Sequence, residues 1–173
     1  MVARDPELAH VWEWLGEIAD PEIPAISILD LGIVRDVAWS AAAEPRTLHV
    51  AVTPTYSGCP AIAAIEREIV RVLLEHGIER VALDVRLAPP WTTDWITAGG
   101  REKLRAYGIS PPRPLARADA STIDLIAFVD ERAACPRCGS SVVEVVSRFG
   151  STPCKALYRC TTCLEPFDHF KSH

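Results

Sequence analysis

The six cysteines are the residues of this chain best equipped for chemistry, and five of them crowd its C-terminal end. They read Cys135-Pro-Arg-Cys138, a gap of 21 residues holding Cys154, then Cys160-Thr-Thr-Cys163. A CxxC turn points two sulfurs at one ion, and two such turns close a tetrahedron of soft donors, the arrangement Zn²⁺ prefers. The gap slightly exceeds the roughly 15–20 residues usual between such pairs. Residues 142–146, apolar but for Glu144, and the apolar 156–158 flank the turn-forming 150–153 (Gly-Ser-Thr-Pro). A β-hairpin therefore spans the gap, and knuckle, hairpin, knuckle is a zinc ribbon. A module of about 30 residues buries too little core to fold alone, so the metal would supply its folding energy. The same four thiolates also suit iron or an Fe–S centre. Residues 1–13 carry acids and no apolar signal segment. That argues for a cytoplasmic protein and against a disulfide framework.

Two further thiols are open to more than one reading. Cys154 precedes Cys160 by six residues. It is a small core residue, a reactive or transient metal thiol, or a substitute for one of the four ligands. Cys59 ends Thr53-Pro-Thr-Tyr-Ser-Gly-Cys59-Pro60, between a strand and a helix. Proline is favoured at the first helical position, so Cys59 falls at or near the N-cap, where the helix dipole lowers a thiol pKa. Either it is a reactive or ligand thiol, or it packs under the helix. Asp20-Pro-Glu22-Ile-Pro24 and Asp30-Leu-Gly32 hold acids in turns, where caps and turns are their ordinary use. Trp91-Thr-Thr-Asp94-Trp95 is a ligand-facing loop or an aromatic plug. His10, His49 and His76 are scattered, and His169 and His173 sit at the chain end. Glu7 and His10 form a single E-x-x-H, whereas a bundle-type di-iron site needs two such pairs and two more Glu on four facing helices. No glycine-rich nucleotide motif is present.

The elements that must position these residues follow from periodicity. Leu8, Val11, Trp12, Leu15 and Ile18 predict a helix over 6–19, stopped by Pro21 and Pro24. Strands are expected at 33–39, 46–53 and 79–88, the last with Val81, Leu83, Val85 and Leu87 on one face. A helix over 60–76 carries the stripe Ile62, Ile65, Ile69, Val72, Leu73, and a shorter one fits 99–107. The order predicts an α/β or α+β domain over 1–107. Residues 108–132 then supply a Pro-rich linker and a bracing strand at 121–129, and 133–173 form the ribbon.

The 173 residues and 19.0 kDa allow one ordinary domain plus a small module. Apolar residues at 49% and charged residues at 24% are globular values, which excludes global disorder. No apolar run reaches the roughly 18 residues of a membrane span. The net charge of −5 and the lack of a basic stripe argue against a nucleic-acid binder.

DPEIP (20–24), DLGIV (30–34), the 53–60 loop, PPWTTDWIT (89–97) and the tail from CPRCGS to YRCTTCLEPFDHFK together resemble a family. It is the metal–sulfur cluster assembly domain of SufT-like proteins, joined to a zinc ribbon in the PaaD-like (PaaJ-like) proteins of phenylacetate degradation. The resemblance spans about residues 6–171. It implies a small mixed sheet with flanking helices. It also implies a non-catalytic accessory role, supporting iron or Fe–S cluster assembly for phenylacetyl-CoA epoxidase or its reductase. Cys59, Asp20 and Glu22 match the family's thiol and acidic turn. Cys59 offers one soft ligand per chain, so a bridging cluster would need a homodimer or a target complex. The alternative is a structural or regulatory subunit of the oxygenase complex.

Overall fold

A computed structural model describes residues 6–41, 46–112 and 133–171. The chain divides into two compact units, Met1–Trp91 and Thr92–His173, whereas the sequence pattern suggests a boundary at 107.

In the first unit the elements are α1 (Leu8–Gly16), β1 (Val34–Trp39), β2 (Leu48–Val52), α2 (Ile62–Glu75) and β3 (Val81–Val85). The sheet order is β1-β2-β3, with β1 antiparallel and β3 parallel to the central β2, so the sheet is mixed. The parallel pair requires a crossover, and α2 is that crossover. α1 packs against α2 and β1, and α2 against β3. The core joins Val11 and Leu15 to Leu48, Val50 and Val52, and to Ile65, Ile69 and Leu73, all fully buried.

The helix–strand order follows the sequence pattern, with shorter elements. α1 stops at Gly16 rather than 19, ahead of its prolines, because Ala19 leaves to bridge Ser27. The segment from there to β1 is a packed platform that buries Ile23, Ile26, Ile28, Leu31 and Ile33. The apolar face expected for 79–88 is only partly covered. Val85 is 42% and Leu87 56% exposed, since β3 is an edge strand whose pairing ends at Val52.

The second unit holds a 3₁₀ turn at Thr93–Trp95 and α3 (Ala98–Ala106), capped by Thr97 accepting from the Gly100 amide. It continues with β4 (Ile109–Ser110), β5 (Val143–Ser147), β6 (Lys155–Cys160) and β7 (Pro166–Phe170). Its sheet runs β4-β7-β6-β5. The expected hairpin is β5–β6, and β7 adds a third ribbon strand. Residues 109–110, expected to open the linker, instead pair parallel with β7. The remainder of that linker (113–120) and the bracing strand at 121–129 lie outside the described residues. His169 is not at a frayed end. It is 1% exposed in β7, edge-on to Tyr158.

Candidate metal and thiol sites

The two CxxC segments fold as matching knuckles. In the first, the Cys135 amide donates to Ser140 and its carbonyl accepts from Gly139; in the second, the Cys160 amide donates to Glu165. Each places the residue after its second cysteine in the left-handed region, Gly139 at φ +76° and Leu164 at φ +65°. Glycine suits that conformation; leucine pays a Cβ clash of about 1–2 kcal/mol, which the knuckle imposes.

This geometry brings Cys135, Cys138, Cys160 and Cys163 together, with all four sulfurs within 4.8 Å of one another. Cys135 and Cys163 are 3.7 Å apart, and Cys138 and Cys160 3.6 Å. Those separations are too long for a disulfide. They fit the edge of a tetrahedron with Zn–S near ~2.3 Å, which is about 3.8 Å. The electrostatics agree. The amide of Cys163 donates to the Cys160 sulfur and holds that thiol down at about 6. The amide of Glu165 favours the Cys163 thiolate, but burial and the three neighbouring sulfurs prevail and push it up to about 12. Four thiolates in this space oppose one another unless a cation sits among them, so the residues fit a structural zinc. Two of these cysteines, Cys135 and Cys160, belong to the ribbon's buried core with Ala133, Ala156, Tyr158 and Phe167.

Cys154 lies outside this group. It is buried just before β6, with its sulfur 3.0 Å from Thr152 Oγ1. Beside it, sequence reasoning missed a buried charge. Lys155, 4% exposed, pairs with Asp168 at 3.5 Å, and Ser151 donates to the same carboxylate. The period-2 pattern of β6 offered no signal for a buried lysine.

In the first unit, Asp20 is 6% exposed, and its Oδ1 accepts the amides of Glu22 (2.9 Å) and Ile23 (2.8 Å). Pro21 has no amide to compete, so the turn closes on this carboxylate. Asp30 accepts from the Ser27 amide and hydroxyl. Trp91 is a plug, 4% exposed, donating its indole N–H to the Leu31 carbonyl at 2.8 Å. Glu7 is the N-cap of α1 and lies outside the helix, so the lone E-x-x-H forms no helical pair.

Cys59 is half-buried, two residues before the α2 N-cap, Ala61, and not at the cap itself. The Ala61 and Ile62 amides still act to lower the thiol. The expected lowering of its pKa does not follow. Burial first, then the charges of Glu22 and Asp20, raise the thiol and outweigh the two amides. The same carboxylates show that the acidic turn lies close enough to Cys59 to act on it.

The two units carry two recognisable modules. Residues 8–88 match the iron–sulfur cluster assembly protein family, and residues 123–171 match the PaaD zinc beta ribbon domain. An Escherichia coli (strain K12) protein, provisionally named as a component of 1,2-phenylacetyl-CoA epoxidase, is 43% identical over 166 residues. The alignment covers 96% of this chain and 93% of that one. The chain therefore belongs to the PaaD family: an iron–sulfur cluster assembly domain followed by a zinc ribbon. Two solved structures are also similar. One is a domain of unknown function from Bacillus anthracis (26% identity, 56% of this chain and 89% of that one, TM-score 0.49). The other is a Mycobacterium tuberculosis protein described as associated with Fe–S complex assembly and repair (31%, 62% and 94%, TM-score 0.38). Among the described residues, no helix is long and apolar enough to cross a membrane.

Proposed function

We propose that this chain is a cytoplasmic accessory protein of a phenylacetyl-CoA epoxidase system, taking no catalytic part itself. It supports delivery of iron or an Fe–S cluster to the epoxidase or its reductase, while its four-cysteine ribbon holds a structural zinc. What supports this reading is that the charges of Glu22 and Asp20 act on the one soft donor of the first unit, Cys59, which stands just before α2. At neutral pH the raised thiol keeps its proton. An arriving iron cation takes the sulfur, the proton leaves to water, and the carboxylates that opposed a bare thiolate favour the bound cation. Because Asp20 is tied to two backbone amides, it serves mainly to shape the turn, and Glu22 supplies the more adaptable charge. One sulfur per chain makes the cargo shared, between two copies or with the target.

Cys59→Ser keeps the size and the turn but loses the soft donor. In a deletion strain it should fold yet fail to restore growth on phenylacetate, with the epoxidase's own chains present and poorly metallated. Full growth would sink the assignment. The name of the E. coli relative favours a second reading, a structural or regulatory subunit. That reading requires a stoichiometric complex surviving purification, with Cys59→Ser fully active.

A further inference from the structure

The left-handed leucine of the second knuckle has no explanation in the fold. Leu164 stands where the first knuckle has Gly139, and it holds φ at +65° with its side chain 62% exposed. It bears the strain of that conformation and gains little packing from it. Glycine would suit the turn better and leave less apolar surface in water. Outliers of this kind persist where something other than folding requires them. Leu164 also borders a cleft. Residues 165–167 follow it directly and line a space of about 430 Å³ within the second unit, together with the Cys135 knuckle and the end of α3. That volume is in the range of binding sites. The apolar part of the lining includes Phe167 and Tyr107, and Tyr107 is 57% exposed. The apolar surface therefore runs from the cleft to its rim, and patches of that kind mark interaction sites.

The charges of the cleft give its ligand a sign. Arg105, in the last turn of α3, and Arg137, between the cysteines of the first knuckle, both line it, against one carboxylate, Glu165. Arg137 meets Glu165 only at 3.8 Å and is 73% exposed, so the pair is loose and open to exchange. Arg105 makes no ion pair among the described residues. The thiolates around a zinc carry the opposite sign, but of the four cysteines only Cys135 lines the cleft, and it is 2% exposed. An entering ligand meets the guanidiniums first. Each is a planar fork that takes a carboxylate through two parallel hydrogen bonds.

We propose that this cleft docks an extended segment of a partner protein in which acidic side chains flank an apolar one. The carboxylates pair with Arg105 and Arg137, and the apolar side chain lies against Leu164 and Tyr107. A cleft of this size buries less than a standard interface, so the contact belongs to the weak, reversible class and loosens as salt rises. A nucleic acid also offers anions, but Glu165 in the lining and the chain's net charge of −5 oppose a polyanion. The inference does not require Cys59 to handle iron. Cys59→Ser should bind the segment as the parent does, and either idea can fail without the other.

The probe is a short fluorescein-labelled peptide with glutamates on either side of a central leucine, titrated by anisotropy with the full-length, zinc-loaded chain. One counterpart carries lysine for each glutamate, and another carries serine for the leucine. The parent peptide should bind in the micromolar to submillimolar range, the lysine peptide not at all, and the serine peptide less well. Leu164→Gly relieves the strained turn, so it should stay folded and zinc-loaded while binding the peptide roughly tenfold more weakly. Arg105→Glu should weaken binding roughly tenfold as well. Arg148 is exposed on the same unit and does not line the cleft, so Arg148→Glu, with the same change in charge, should bind within about twofold of the parent. A peptide that fails to bind at millimolar concentration overturns the proposal. So does a Leu164→Gly chain that binds like the parent, or an Arg148→Glu loss as large as that of Arg105→Glu. Tighter binding of a single-stranded oligonucleotide would overturn it too, as would self-association of the chain abolished by the cleft variants, which would make a second copy the occupant.

Discussion

Replacing Cys163 with Ser should unfold the ribbon and spare the first unit. The variant puts a harder donor on a shorter bond where the sulfur now sits 3.7 Å from that of Cys135. Structural zinc contributes about 10–16 kcal/mol through four thiolates, so losing one costs about 3–4 kcal/mol, two to three decades of affinity. The ribbon has little to offset that. Among the described residues, Tyr158 and Phe167 are the large side chains of its buried cluster, worth about 2–3 kcal/mol each, against about 1.5 kcal/mol of ordering entropy per residue. The first unit keeps its own core on α1, β2 and α2. A metallochromic chelator in competition should therefore strip the variant hundreds of times more readily than the parent. Hydrogen exchange should then show β5, β6 and β7 unprotected, and β4 with them, since it pairs with β7. Protection in β2 and α2 should persist. Zinc held as tightly as in the parent would show that Cys163 is not a ligand, and loss of protection in α2 would refute the independence of the units.

Four further perturbations bear on single features. Glu22→Gln removes one of the two charges that raise the Cys59 thiol, so alkylation by iodoacetamide at fixed, mildly alkaline pH should speed up; an unchanged rate would separate the acidic turn from the thiol. By linkage, a thiol raised in the folded state costs stability as pH climbs past the unfolded thiol value. Cys59→Ala should therefore flatten the alkaline fall in first-unit stability, as seen in denaturant midpoints against pH. Gly150→Ala should destabilise the ribbon by about 1–3 kcal/mol in thermal melts, because its Cβ would meet Asp168 Oδ1 at 2.8 Å beside the buried Lys155. Leu164→Gly should leave the ribbon equally stable or up to about 1 kcal/mol more stable, since it releases a left-handed leucine that is 62% exposed; a lowered melting temperature would refute the strain.

The four-cysteine site was legible in the sequence because its geometry is local. Each CxxC turn aims its own two sulfurs, and the glycine and proline between the pairs mark the hairpin. The helical stripe of α2 and its place between β2 and β3 were legible for the same reason, since periodicity reports a buried face without reference to partners. What the sequence could not decide depends on residues far apart along the chain. Ile109 pairs beside Asp168, which draws the start of a proline-rich stretch into the ribbon's sheet and buries His169 near the chain end. Lys155 is buried because Asp168 arrives from the next strand. The sign of the Cys59 shift turned in the same way. Position at a helix start argued for a lowered pKa, and the amides of Ala61 and Ile62 do act in that direction. Desolvation and the carboxylates of Asp20 and Glu22, brought in by a platform packed on its own isoleucines, act more strongly. Local spacing determined which residues could bind a metal; only tertiary packing set how deeply each is buried and which charges face it, and these fix its chemistry.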